Sequence, residues 1–194
     1  MLKKQDGVLY FDNNSMPGSG QTIGARGSLP EDLRADLLLW RGRFQDYAHH
    51  IGPQAYADYN RFELDAAADL VERMGSRPFV LFMNVGGVDS AGQELGSVEY
   101  IQTVQALDAP LGRLAEACKR YNDVLAVTAD HSMSFPASGN SKGAHASGKY
   151  STRLESLRIP LVVGGPGVDN LSLGGMWSQV NIAPHDPRTA GHYG

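Results

Sequence analysis

Apolar residues recur at helical spacing over three stretches of the chain. In "RFELDAAADLVERM", Phe62, Ala66, Leu70 and Met74 return every four residues with Ala67 and Val71 beside them, which predicts an amphipathic helix closed by Gly75. In "SVEYIQTVQALDAPLGRLAEACKRY", Val98, Ile101, Val104, Leu107, Leu111, Leu114 and Cys118 step by three or four, and Pro110 should kink or split the helix. "SLPEDLRADLLLWRGRFQDYAHH" is the third, with Ser28 as cap, Pro30 in the first turn, and Glu31 and Asp32 at the positive end of the dipole. Three other runs are continuously apolar and of strand length: "RPFVLFMNV", "DVLAVTAD" and "RIPLVVGG". Strand, helix, strand in this order predicts an α/β fold, a mostly parallel sheet with helices on both faces.

The remaining segments are polar or glycine-rich. Residues 1–30 read as an irregular region, and "GSGQTIGARG" within it lacks the Gly-Lys-Ser/Thr ending of a phosphate-binding loop. The 194 residues, 42% hydrophobic and 20% charged, suit one soluble domain spanning 1–194. A net charge of -4, with both signs mixed along the chain, gives no basic stripe for nucleic acid or an anionic membrane. No run of 18 apolar residues forms a membrane span. "MLKKQDGVLYFD" has no apolar region after its lysines, so no signal peptide is read there; if Met1 is the native start, the expected location is cytoplasmic. The single cysteine, Cys118, falls in a helical apolar pattern and reads as a core residue. His49 and His50 are neighbours on a helix, point in different directions, and read as solvated rather than as a metal pair.

Ligands in open α/β sheets bind beyond the carboxyl ends of the strands. The first strand runs into "GGVDSAGQELG", which brings Asp89 and then Gln93; the second runs into "TADHS", which brings Asp130 and His131. The third runs into "GGPGV", which offers no ligand, and His145 arrives on the loop between the second and third. Carboxylate and imidazole together suit zinc, manganese and related divalent ions. Two such ions a few ångströms apart can clamp the attacking and leaving oxygens of phosphoryl transfer. The simpler reading is that Asp130 caps a turn and His131 packs locally; spacing alone leaves both open.

The ordered set "VDSAGQELG", "LDAPLGRL", "VTADHS", "GAHAS" and "RIPLVVGGPGV" resembles the C-terminal half of the alkaline phosphatase superfamily, over roughly residues 63–183. Its nearest branches are the type I phosphodiesterase/nucleotide pyrophosphatases, the sulfatases and the cofactor-independent phosphoglycerate mutases. The resemblance implies two divalent ions at the strand ends. One would be held by Asp89, by the residue at position 93 and by His145. The other would be held by Asp130 and His131. Gln93 stands where the family has histidine, and a neutral amide oxygen is a poorer ligand for zinc-like ions. That degenerate position is expected to weaken the first site, or to shift it from Zn or Mn toward Mg or Ca. Ser132 replaces a usual glycine. The family also needs an N-terminal strand with a further aspartate and a Ser or Thr nucleophile. "YFDNNSMPGSG" offers only Asp12 with Ser15 or Ser19, so the alkaline phosphatase-like fold is expected to be incomplete in this chain. "MWSQVNIAPHDPRTAGHYG" starts like the family's final helix, with Asn181 and His185 in place of aspartate and threonine. It then turns polar, so 184–194 reads as a disordered tail and His185 and His192 as tail residues.

Two functions follow. The first is metal-dependent hydrolysis of a small-molecule phosphate or sulfate ester, with Asp89, Asp130, His131 and His145 as ligands and with Asn84 and Lys142 nearby. The second is a truncated or degenerate domain that binds metal without catalysis, which Gln93 and the missing nucleophile favour. A calcineurin-like phosphoesterase is set aside because "SGNSKG" lacks the required Gly-Asn-His segment.

Overall fold

The computed structural model describes residues 8–11, 23–26, 31–47, 53–137, 139–169 and 178. Two short strands, β1 (Val8–Phe11) and β2 (Ile23–Arg26), pair antiparallel with Val8 opposite Arg26. They fall inside the stretch expected to be irregular, where Leu9, Tyr10 and Phe11 are strand formers. Helix α1 (Glu31–Arg43) follows, with Glu31 and Asp32 in its first turn as expected. Ser28 and Pro30, proposed to start it, lie outside the described residues, as do His49, His50, His185 and His192.

Helix α2 (Pro53–Met74) is longer than its periodic core because it carries two packing faces. One face sets Phe62 and Ala66 against Trp40 and Tyr47, with Phe62 edge-on to both rings. The other buries Leu64, Ala67 and Val71 against Leu114, Ala117 and Cys118. Gly75 ends the helix at φ 55, a left-handed value open to glycine without strain. The long pattern around Pro110 is split, as expected, into α4 (Ser97–Gln105) and α5 (Asp108–Tyr121). Pro110 sits in the first turn of α5, where its missing N–H costs no intrahelical bond. Cys118 is buried as a core residue, and burial raises its thiol pKa.

The strands differ from expectation. β3 (Leu125–Thr128) and β4 (Leu161–Gly164) pair antiparallel, with Leu125 opposite Gly164 and Thr128 opposite Leu161. The expected mostly parallel sheet is not formed among the described residues. A continuous apolar run marks a strand without fixing its partner or direction. "RPFVLFMNV" joins no ladder among the described residues. Its Phe79, Leu81, Met83 and Val85 pack on the α2–α5 core, while Val80 and Phe82 face outward, 93% and 87% exposed. Helices therefore cover one side of residues 79–85 and of β3 at Leu125, whereas β4 is exposed along its whole length, so helices on both faces are not found among the described residues. A four-residue helix, α6 (Leu154–Leu157), precedes β4.

Candidate metal centre

Helix α3 (Gly87–Glu94) carries the first two candidate ligands. It is pinned to α2 at both ends. The Gly87 backbone N–H donates to Asn60 Oδ1 at 3.0 Å, and the Tyr56 hydroxyl donates to Glu94 Oε2 at 2.5 Å. Burial, and then the Glu94 carboxylate, hold the Tyr56 phenol well above its ordinary pKa, so it stays a donor. Contact at the first end is close: a Cβ on Gly87 would lie 2.3 Å from Asn60 Oδ1 and 2.8 Å from the Tyr56 carbonyl oxygen. Only glycine lets α3 begin there.

Asp89 and Gln93 are four residues apart on α3, so they share one face. Past β3 the chain turns at Asp130 and His131, then folds back along itself through the antiparallel bridge between Ser134 and Ala144. The returning strand is tied to α3 by the Gly143 backbone N–H, which donates to the Gly92 carbonyl at 2.8 Å. A Cβ on Gly143 would come within 2.5 Å of Met133 Cγ, so glycine also permits this approach. Asn140 fixes the loop on its other side by accepting the Val98 N–H at 3.0 Å and donating to Glu99 at 2.7 Å.

These constraints bring His145 to Asp89 and Gln93. His145 Nε2 lies 3.6 Å from Asp89 Oδ1, and His131 Nε2 lies 3.9 Å from the same oxygen. The two imidazoles stack, with centroids 3.5 Å apart and 7° between planes. Asp89, His131 and His145 each offer a ligand atom within 4.8 Å of the others, and all three are half-buried. Asp89 Oδ1 is shut off from solvent and accepts no hydrogen bond from the described residues. An uncompensated carboxylate oxygen facing two ring nitrogens fits a cation, which would neutralise it.

The Gln93 amide nitrogen is 2.9 Å from Asp89 Oδ2 and 2.9 Å from His145 Nε2. His131 Nδ1 lies 3.2 Å from the Ser132 carbonyl. A carbonyl only accepts, so Nδ1 donates there and the ring turns Nε2 toward Asp89.

Asp89, Gln93, His131 and His145 thus converge, while Asp130 remains at the rim. Its side chain is 81% exposed, Oδ1 accepts the backbone N–H of His131 at 3.1 Å, and Oδ2 is 3.6 Å from His131 Nε2. His131, expected at the second ion, stacks on His145, expected at the first, so the two sets of residues adjoin. Asn84 and Lys142 are exposed, and Asp12, Ser15 and Ser19 lie outside the described residues. Sequence reasoning missed Asn140, for which an Asn following Gly139 in a polar loop was the available signal. It also missed Glu63, which is fully buried on α2.

No helix among the described residues is long and apolar enough to cross a membrane. A model of the Metalloenzyme superfamily matches residues 56–186, a span that contains the whole cluster. No match is found among curated proteins or among solved structures.

Proposed function

Since this chain belongs to the Metalloenzyme superfamily, an alkaline phosphatase-like family, we propose that Asp89, His131 and His145 hold a divalent cation that serves hydrolysis of a phosphate or sulfate ester. The observation that carries the reading is Asp89 Oδ1, buried, without a hydrogen bond from the described residues, and facing both imidazole nitrogens. One carboxylate oxygen and two imidazoles favour Zn or Mn over the harder Mg or Ca. When bound, the ion supplies Lewis acidity that draws charge from the ester's non-bridging oxygens. Asp89 contributes the negative charge that retains the cation. The Ser132 carbonyl orients His131 so that Nε2 faces inward. Asp130, exposed beside His131, is placed to meet a substrate or a second ion from the solvent side. In the same reading, residues 78–85 stand as a strand of a mostly parallel sheet whose neighbours are not among the described residues.

A second reading, metal binding without turnover, is favoured by Gln93 in a ligand position. Zinc and manganese titration by calorimetry, followed by assays on p-nitrophenyl phosphate and p-nitrophenyl sulfate, separates the two. We expect Asp89→Asn to weaken metal binding at least about tenfold. Metal-dependent turnover of either ester, lost in that variant, supports the hydrolase. Binding with no turnover leaves the non-catalytic domain, and no binding at all refutes both.

A further inference from the structure

We propose that Gln93 is a plug in this site rather than a ligand: anchored on Asp89 Oδ2, its amide hydrogen-bonds the His145 nitrogen that faces a cation, and so sets how tightly the ion loads. The inference rests on the reading of Asp89, His131 and His145 as a cation site.

Gln93 Nε2 donates to Asp89 Oδ2 at 2.9 Å. A carboxylate oxygen is an acceptor, so the amide must present nitrogen, not oxygen, on this side. That nitrogen carries two hydrogens and has no lone pair available to a metal. One hydrogen serves Asp89. The same nitrogen is 2.9 Å from His145 Nε2, which must then accept the other. The lone pair that His145 would give to a cation is thereby engaged. His131 Nε2 and Asp89 Oδ1 are not touched by the amide, and Oδ1 has no hydrogen bond from the described residues. The site therefore offers a cation two atoms at once and the third only after the amide lets go.

Geometry makes the plug removable. Gln93 is exposed on α3, so its side chain can swing to solvent without opening the core. Loading must break the hydrogen bond to His145, whose net strength corresponds to about tenfold in affinity.

The opposite assignment, in which Gln93 binds the ion through Oε1, predicts the opposite sign, and this makes the test sharp. Zinc alone is titrated by calorimetry into the full chain and into Gln93→Ala, Gln93→Asn, Asp89→Asn and His131→Ala. Alanine suits a helix, and asparagine is too short to bridge both partners. The plug predicts that Gln93→Ala binds zinc about tenfold tighter than wild type at unchanged stoichiometry, with Gln93→Asn also tighter. Weaker or equal binding by Gln93→Ala, while Asp89→Asn and His131→Ala lose binding, leaves the cation site standing and overturns the plug. If Asp89→Asn and His131→Ala bind zinc as wild type does, the cation site is wrong and the plug falls with it. Circular dichroism of each variant shows that the fold is retained.

Discussion

At the scale of single residues, Glu63 sets a pH dependence. Its side chain is fully buried, and neither carboxyl oxygen has a well-formed hydrogen bond. Burial pushes the carboxyl up from 4.5 to about 8, and the neighbouring Tyr59 hydroxyl offsets only part of that rise. The folded state therefore keeps a proton that the unfolded chain has already released. Below 4.5 both states hold it and nothing is lost. As pH climbs from 4.5 toward 8, the unfolded state binds fewer protons and stability falls, with a limiting slope of about 1.4 kcal/mol per pH unit. Glu63→Gln removes the ionisable group and keeps the shape. Thermal melts should show the variant several degrees above wild type near pH 8 and close to it near about pH 5. Equal slopes in the two proteins would show that Glu63 does not carry the effect. None of this was legible in the sequence, where a glutamate between Phe62 and Leu64 reads as the polar side of an amphipathic helix. It becomes buried because α2 packs on more than one side.

Among the elements, α3 decides where the candidate ligands stand, and Gly87 decides where α3 stands. An added methyl group at 87 meets Asn60 Oδ1 and a backbone oxygen of α2 at distances that real contacts do not reach. Gly87→Ala should lower stability by about 1–3 kcal/mol through overpacking. Urea denaturation measures this, and an unchanged midpoint would show that α3 is not held as close to α2 as described. The helices themselves were largely readable, because a period of three to four survives in the spacing of Leu111, Leu114 and Cys118. Gly75 and Pro110 were readable for a different reason, namely that each restricts the backbone whatever surrounds it. The strand pairing was not readable. "LAVT" and "LVVG" are apolar along their whole length, and such runs carry no mark of direction. At the candidate site, the chemistry of Asp89, His131 and His145 was visible as residue types at strand ends. The stacking of the two imidazoles and the bridge made by Gln93 were not. They depend on the contact between Gly143 and Gly92, which no local pattern announces.

For the molecule as a whole, one apolar face has no cover among the described residues. Val80 and Phe82 project from residues 78–85, which join no ladder among the described residues. Isolated exposed hydrophobes are ordinary, but two in one segment on the same side form a patch. The native protein should bind the dye anilinonaphthalene sulfonate, and Val80→Ser with Phe82→Ser should cut the fluorescence while cooperative unfolding is retained. Fluorescence equal to wild type in the double variant would place the dye-binding surface elsewhere.

The return of the chain along Ser134 and Ala144 has a mechanical consequence. His145 is held in place by two rungs to Ser134 and one tether to Gly92, three backbone bonds in all. His131 lies on the outgoing arm, whereas the tether fastens the incoming arm to the helix that bears Asp89 and Gln93. Peeling that short clasp would carry His145 away from its three companions while α2 and α5 stay locked together. Dismantling the cluster would therefore take a local excursion rather than a global one, in which these bonds and those of Asn140 to Val98 and Glu99 give way while the helices behind stay packed.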